Sequence, residues 1–496
     1  MPIRKILIAN RGEIALRIIR SAREMGIATV AIYSEADRKA LHVRAADEAY
    51  CVGAPPSAQS YLRMDKIIEI ARQSGADAIH PGYGFLSENA VFARLVADNG
   101  LVFIGPSPES IEVMGSKLAA KNAVAKFDIP MVPGIPEAVS DVRVAMRQAA
   151  QIGYPVLIKA SAGGGGKGMR LVENEAQLEE QMQRAISEAT AAFGDGSVFV
   201  EKYILSPKHI EIQVLGDKHG NVVHLFEREC SIQRRHQKVI EEAPSAVVTP
   251  EIREKMGQAA VFAAKACNYY GAGTVEFVVD KDLNFYFLEM NTRLQVEHPV
   301  TELITGLDLV KEQIRIAAGE KLSFAQEDVK MRGHAIEIRV SAEDPKNNFL
   351  PEIGTLTTYV RPQGPGIRVD DGFEQGSDIP IHYDSMIAKL VVYGQNRPEA
   401  IARMKRAIDE YRITGIETTL GFCRFVLDHP AFLDGSFDTN FVAQHFSPDA
   451  LEPQVSESEA EIAALLVGRL LQAKTTKPEN AAGQAASPSR WKANRR

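Results

Sequence analysis

The chain is 496 residues long, with 45% hydrophobic and 24% charged residues, the balance of an ordinary globular enzyme with room for about two to four structural units. Its net charge of −7 excludes any general attraction to nucleic acid or acidic membranes. Cys51, Cys230, Cys267 and Cys423 have no metal-type spacing and suggest no disulfides, the start has too short an apolar run for a signal peptide, and no stretch reaches membrane-spanning length, so a reducing cytoplasm is the expected compartment.

Lys5 to Asn10 reads as a buried strand, Glu13 to Met25 as an amphipathic helix stopped by Gly26, and Thr29 to Tyr33 as the next strand. Ile67 to Arg72 is predicted helical, and Asp77 to His80 and Leu101 to Ile104 are predicted strands. Strand and helix alternate, so residues 1–115 are expected to form a doubly wound α/β domain. The turn Asn10-Arg11-Gly12-Glu13 carries no dinucleotide fingerprint.

Residues 131–204 read as a small α/β lid. Within it, Tyr154 to Ala160 is a predicted strand ending in Lys159, followed by Gly163, Gly164, Gly165, Gly166 and Gly168. Such a run lets backbone N–H groups approach phosphate oxygens and leaves the loop mobile. Met169 stands where the nucleotide loop G-x-x-x-x-G-K-[ST] needs a hydroxyl, so this is not that loop. A flexible linker is the bland alternative.

Val275 to Val279 and Phe285 to Leu288 are β-rich runs around the polar turn Asp280-Lys281-Asp282-Leu283-Asn284. A turn centred near Asp282 and Leu283 sets Glu276 opposite Glu289, with Asn291 on the same face. Like charges directly opposite repel. A hard divalent cation reverses that sign, and two carboxylates with an amide oxygen suit Mg²⁺. The bland alternative is two exposed glutamates held by neighbouring lysines. Further on, an extended segment would put Arg293, Gln295 and Glu297 on the face of Glu289 and Asn291, with Leu294 and Val296 toward the core. Arg can grip a small planar oxyanion bidentately, Gln can add a hydrogen bond, and Glu can serve as a general base. A solvated strand face is the alternative.

Residues 335–446 form a mixed subdomain rich in strands and glycine turns. Arg339 lies there in the alternating strand Glu337-Ile338-Arg339-Val340, where a cross-strand ion pair is its bland role. In the tail, 447–496, Ser456 and Glu459 make a capping box before Ile462, Leu465, Leu466 and Leu470. A Thr/Pro/Ala/Ser linker from Thr475 to Ser489 follows, and then Trp491 among cations. This is either a disordered extension or a docking arm for a partner.

The strings Ile8-Ala9-Asn10-Arg11-Gly12-Glu13-Ile14-Ala15, His80-Pro81-Gly82-Tyr83-Gly84-Phe85-Leu86-Ser87-Glu88-Asn89, the glycine loop, Arg228-Glu229-Cys230-Ser231-Ile232-Gln233-Arg234-Arg235-His236-Gln237-Lys238, and Asn291 to Glu302 together carry a family likeness. The chain resembles the biotin carboxylase component of biotin-dependent carboxylases, within the ATP-grasp superfamily, from about Ile6 to about Phe446. Carbamoyl phosphate synthetase shares the glycine loop and metal carboxylates but not the last two strings. The resemblance implies an α/β and α+β fold. It has a doubly wound N-terminal domain (1–115), an ATP-grasp lid and core (116–334) and a mixed C-terminal subdomain (335–446).

It also implies an activity, the carboxylation of biotin with bicarbonate through carboxyphosphate, using ATP and Mg²⁺ or Mn²⁺. On this resemblance Lys117 and Lys159 match the ATP phosphate lysines, and Gly163, Gly164, Gly165, Gly166 and Gly168 belong to the same nucleotide site. Glu201, Lys202 and Ile204 match the adenine hinge, and His209, Gln233 and His236 match positions around the ribose and phosphates. Glu276 and Glu289 match the metal ligands, with Asn291 beside them. Lys238, Arg293, Gln295 and the backbone of Val296 match the bicarbonate site. Glu297 matches the general base and Arg339 the cation that stabilises the biotin enolate, with Tyr83 near the biotin ring. A homodimer is implied as well.

Biotin is normally attached to a Lys within an Ala/Val-Met-Lys-Met hairpin. Here the Met404-Lys405 dipeptide falls inside a helical pattern from Ala400 to Tyr411. The chain is therefore expected to be a separate subunit, with a biotin carboxyl carrier protein and a carboxyltransferase as partners. Acetyl-CoA, the acceptor of fatty acid biosynthesis, propionyl-CoA and pyruvate all remain open as acyl acceptors. Two other readings stand beside this one: a different ATP-grasp ligase, for example one forming carbamoyl phosphate, and a non-catalytic nucleotide-binding subunit.

Overall fold

Five short aliphatic strands open the chain: β1 (Lys5–Ile8), β2 (Ala28–Ser34), β3 (Glu48–Gly53), β4 (Ala78–His80) and β5 (Val102–Phe103). They pair in parallel in the order β3-β2-β1-β4-β5, the arrangement that alternating strands and helices require. β1 is shorter than predicted because Asn10 leaves the ladder. Its side-chain amide donates to the Pro81 and Tyr83 carbonyls at 2.6 and 2.8 Å, pinning the β1 turn to the loop after β4. A Cβ on Gly82, which has φ +65°, would meet Asn10 Nδ2 at 2.9 Å, so this close approach needs glycine. The helix Gly12–Glu24 buries Ile14, Ala15, Ile18, Ile19 and Ala22.

The computed structural model describes residues 2–134, 139, 141–160, 169–193, 196–452 and 457–475. Gly163, Gly164, Gly165, Gly166 and Gly168 lie outside the described residues, as do Ser456 of the predicted capping box and the tail from 476, Trp491 included.

A small antiparallel sheet comprises β6 (Val156–Ala160), β7 (Met169–Val172) and β8 (Val198–Lys202) in the order β7-β6-β8. The helices Val142–Ile152 and Glu175–Phe193 cover it, with Val156, Ile158, Leu178, Met182 and Val200 in their shared core.

The largest sheet has eight strands: β9 (Lys208–Gly216), β10 (Val222–Arg234), β11 (Gln237–Ala243), β12 (Gly271–Val279), β13 (Phe285–Asn291), β14 (His334–Ser341) and two later strands. Among the intervening pieces are β15 (Glu343–Asp344), β16 (Leu350–Pro351) and β17 (Thr358–Val360); the later strands are β18 (Ile367–Asp371) and β19 (Met386–Gly394). The order is β13-β12-β9-β10-β11-β14-β19-β18. Alternation decides its two faces. Along β9, Ile210, Ile212 and Val214 pack against the helix Pro250–Ala266, which leaves His209, Glu211 and Gln213 on the opposite face. Along β14, Ile336, Ile338 and Val340 join the C-terminal core, which leaves Glu337 and Arg339 on the other side.

The described residues up to Pro448 form one compact unit and those from Asp449 belong to another. In the second, the helix Glu457–Thr475 exposes Ile462, Leu465, Leu466, Val467 and Leu470.

Candidate active site

The site grows out of one row of the large sheet. The register pairs Glu289 with Glu276, Glu276 with Glu211, and Glu211 with Arg228, across β13, β12, β9 and β10. Directly paired residues share a face and their side chains touch. Three carboxylates in a row repel, so the fold must supply cations. Arg228 is fully buried and uses its whole fork. Nε donates to Glu211 Oε1 at 2.5 Å, and the terminal nitrogens donate to Gln213 at 2.7 Å, Thr301 at 2.9 Å, Thr274 at 3.0 Å and Gln295 at 2.8 Å.

Lys238 closes the network from β11. Its Nζ donates to Glu211 Oε2 at 2.5 Å, Glu276 Oε1 at 2.9 Å and Glu297 Oε1 at 2.7 Å. Burial works against its charge, but Glu211, Glu276 and Glu297 hold the ammonium well above its ordinary pKa.

The two carboxylates of the hairpin differ. Glu276 Oε1 also accepts from Asn291 Nδ2 at 2.9 Å and Gln295 Nε2 at 2.8 Å, and its Oε2 lies 3.1 Å from His209 Nε2. Burial opposes its ionisation, yet Lys238 and then His209 hold it well below the usual carboxylate range. Glu289 is pushed upward, by burial first and then by Glu276 opposite it. Two facing carboxylates, one of them short of positive charge, are oxygen donors that fit Mg²⁺; Asn291 lies beside them, with its amide nitrogen on Glu276 and its oxygen accepting from Arg293. His209, Glu211 and Glu276 also bring ligand atoms within 4.8 Å of one another. Both Glu211 oxygens are engaged by Arg228 and Lys238, however, which makes Glu211 a counter-ion and not a ligand.

After Asn291 the chain bends instead of staying extended. Glu297 is the N-cap residue of the helix His298–Thr305, with Pro299 in its first turn. Gln295 and Glu297 nevertheless converge on Glu276 and Lys238. Leu294 is fully buried. Val296, expected toward the core, is only half-buried, and its carbonyl accepts from Lys389 Nζ at 2.9 Å. Arg293 reaches Asn291 Oδ1 at 3.0 Å and Glu88 Oε2 at 2.8 Å, tying the loop after β4 to the hairpin.

The second oxygen of Glu297 accepts from Arg339 at 3.0 Å, while Arg339 Nε donates to Glu241 Oε1 at 2.6 Å. Burial opposes the charge of Glu297, but Lys238 and Arg339 keep it well below the usual range. Tyr83 donates to Glu13, and its ring centre lies 5.9 Å from Lys389 Nζ.

A second cationic group surrounds Glu201, which pairs with Lys159 at 2.7 Å and with Lys121. Burial opposes its charge, but Lys159 and Lys121 lower its pKa to about 2. Lys117 is pushed down by burial and by Lys159. Other expected residues are occupied locally. Lys202 donates to the Gly153 and Tyr154 carbonyls at 2.9 and 3.0 Å, and Gln233 to the Cys230 carbonyl at 2.8 Å. Ile204 is half-buried just past β8. His236 is exposed at the turn between β10 and β11, at φ +66°, apart from the network.

Sequence reasoning did not single out Arg228, Glu211, Glu241, Glu88, Lys121 or Lys389. Glu211 shares the alternating face of His209 and Gln213, a pattern visible in the sequence. Its pairing to Arg228 depends on a register that shifts between His224 and Glu227.

A small antiparallel lid joined to a carboxylate-lined antiparallel sheet is the organisation of an ATP-grasp enzyme. Comparison with known proteins narrows the class. Residues 2–111 match the family model described as biotin carboxylase, N-terminal domain. Residues 116–325 match carbamoyl-phosphate synthase L chain, ATP binding domain, and 337–444 match biotin carboxylase C-terminal domain. The chain is 55% identical over 440 residues to a biotin carboxylase of Nostoc sp., covering 89% of this chain and 98% of that one. It is also 55% identical over 441 residues to a pyruvate carboxylase subunit of Methanothermobacter thermautotrophicus, covering 89% and 90%. Among solved structures, the biotin carboxylase domain dimer of Hydrogenobacter thermophilus 2-oxoglutarate carboxylase, in complex with MgADP, ADP and bicarbonate, superposes with a TM-score of 0.87. The identity there is 51%, over 91% of this chain and 99% of that one. The chain belongs to the biotin carboxylase family.

Proposed function

We propose that the chain carboxylates biotin borne on a separate carrier protein, using bicarbonate and MgATP. One observation carries the reading furthest. Lys238 touches Glu276 on the hairpin and Glu297 at the helix start at once, so one cation spans the metal-binding and oxyanion-binding halves of the site. Bound at Glu276, Glu289 and Asn291, Mg²⁺ would neutralise phosphate charge.

The chain's own residues do the rest. Lys238, Arg293 and Gln295, with the backbone of Val296, hold the bicarbonate. Glu297 is kept anionic by Lys238 and Arg339 and takes the bicarbonate proton. Arg339 faces the biotin side, where it stabilises negative charge on the ureido oxygen, and Tyr83 lines that side. Lys117 and Lys159 provide positive charge for the nucleotide phosphates, beside Glu201. The glycines Gly163, Gly164, Gly165, Gly166 and Gly168 and the residues Lys202, Ile204, His209, Gln233 and His236 belong to the same nucleotide site by family resemblance. The test is steady-state ATPase of the purified chain. Turnover should require bicarbonate and rise with free biotin. Absence of turnover with all substrates present would refute the reading.

Further proposals follow from the same family. The division at 115, 334 and 446 marks an N-terminal domain, an ATP-grasp domain and a C-terminal subdomain. A biotin carboxyl carrier protein and a carboxyltransferase are the partners. Relatives carry the names biotin carboxylase, pyruvate carboxylase and 2-oxoglutarate carboxylase, which leaves the final acceptor to those partners. A homodimer forms through the helix Gly12–Glu24 and the C-terminal subdomain. There Arg17, Arg20 and Glu24 line a groove with Asp308 and Arg368, and Arg20 and Glu24 are exposed. All four cysteines are unpaired, which supports a cytoplasmic setting. No helix among the described residues is long and apolar enough to cross a membrane.

A further inference from the structure

Behind Arg339 lies a carboxyl that the reaction just described does not use. Glu337 sits on β14 two residues before Arg339 and on the same face, fully buried, and neither of its carboxyl oxygens has a hydrogen-bond partner among the described residues. The register sets Glu241 of β11 directly opposite it. Glu241 Oε1 is bound by Arg339, but Glu241 Oε2 is also without a donor. On these two directly paired positions, three buried carboxyl oxygens thus have no donor among the described residues.

The neighbouring acids are each matched by a cation. Glu297 has Lys238 and Arg339, Glu241 has Arg339, and Glu13 has Lys389 at 3.2 Å. Glu337 has no ion pair among the described residues. A buried carboxylate lacking both a cation and donors is strongly disfavoured, and a proton removes the penalty.

We propose that Glu337 is a neutral, proton-bearing carboxyl that donates to Glu241 and thereby positions Arg339 for the biotin step, so that its ionisation ends activity at alkaline pH. The inference rests on the reading of Arg339 as the biotin-side cation. Burial raises the Glu241 carboxyl as well, to about 7 against the pull of Arg339; with one proton held between the two carboxyls, the pair presents a single negative charge on one side of Arg339 and Glu297 holds the other. Without it, a second negative charge appears beside the same guanidinium and draws it from Glu297. The groups facing Glu337 are Glu241 from β11, Arg339 on its own strand, Lys389 from β19, Glu297 from the start of the helix His298–Thr305, and Tyr83 from the loop after β4. Burial first pushes its carboxyl well above the ordinary range. Lys389 and Arg339 oppose that rise, while Glu241 and Glu297 add to it.

Two variants test the role. Glu337→Gln keeps a donor for Glu241 and cannot ionise. Free-biotin carboxylation should stay within about twofold of wild type at neutral pH, and its alkaline limb should move up by about one pH unit or more. Difference infrared spectra should lose a protonated-carboxyl C=O band. Glu337→Leu removes the donor. Biotin carboxylation should fall about tenfold, while bicarbonate-dependent ATP hydrolysis without biotin holds. Glu337→Gln failing as badly as Glu337→Leu, retaining the wild-type alkaline limb, or keeping the infrared band would overturn the proposal. If Glu337→Leu does not fold, the glutamine variant and its spectrum still decide. Arg339→Gln separates the two levels: if it retains biotin turnover, the reading of Arg339 fails, whatever the glutamate variants do.

Discussion

Replacing Lys238 by Met would remove one ammonium from three buried carboxylates while keeping the apolar stem. Deleting one partner of a buried pair typically costs about 3–5 kcal/mol. The three losses do not add here, because each acid keeps other support. Glu211 keeps Arg228, Glu297 keeps Arg339, and Glu276 keeps Asn291 and Gln295. The expected loss is therefore about 3–5 kcal/mol in total, a large share of the roughly 5–15 kcal/mol that holds a protein folded. Its pH dependence has a definite sign. Lys238 depresses Glu276 and Glu297, so the stabilisation is present above the ordinary carboxylate pKa of about 4.3 and disappears as pH falls through their lower folded values. In the variant these acids take up protons at higher pH, which relieves the repulsion. The gap between wild type and Lys238→Met should thus be full at pH 8 and narrow steadily on acidification. Urea denaturation followed by far-UV circular dichroism across that range measures it. A gap below about 1 kcal/mol at pH 8, or one that does not change with pH, would refute the reasoning.

Three further outcomes are expected. Glu289→Gln should lose MgATP affinity, whereas Glu297→Gln should keep it and lose about 10²–10⁴-fold in bicarbonate-dependent turnover; equal loss of nucleotide binding in both would sink the division of labour. Arg228→Lys keeps the charge but not the fork that orients Gln213, Thr274, Thr301 and Gln295, and thermal unfolding should register a loss of roughly 3 kcal/mol together with a fall in turnover. Truncation after Ser447 should leave free-biotin carboxylation nearly intact and weaken assembly with the carrier or transferase. Loss of carboxylation would place the tail in the enzyme core, and unchanged assembly would make it a bare extension.

The hairpin was legible because two β-rich runs around a polar turn fix a register, and a like-charge pair in that register calls for a cation. Its detail was not. The strand ends near the turn pair Val279 with Phe285 and Phe277 with Phe287, and an extra residue, Leu288, then shifts the register so that Glu276 meets Glu289. Without that bulge Glu276 would face a leucine, and no local feature of the sequence announces it. The segment Arg293 to Glu297 read as extended because polar and apolar residues alternate, but Pro299 and the new helix bend it, and the convergence of Gln295 and Glu297 comes from tertiary bonds. Arg228 stood inside a quoted motif and still went unassigned, since its partners come from four other places in the chain. His236 shows the reverse case: a motif can name a residue without saying whether it meets the network in the free chain.

The row Glu289–Glu276–Glu211–Arg228 also explains why one site can be both rigid and receptive. At the Arg228 end every donor and acceptor is used, and both Glu211 oxygens are taken. In the middle, Glu276 has three donors on one oxygen and, among the described residues, only His209 near the other. At the far end Glu289 is held above its ordinary pKa by burial and by its neighbour. Compensation by fixed cations thus declines along four adjacent strands. A fully compensated row would have no use for a metal, and an uncompensated one would not fold. Arg228 satisfies Glu211 permanently, which frees Lys238 to be shared with Glu276 and Glu297. The charge deficit is thereby confined to Glu289, the edge-strand end of the row, where the proposed divalent cation would offset it.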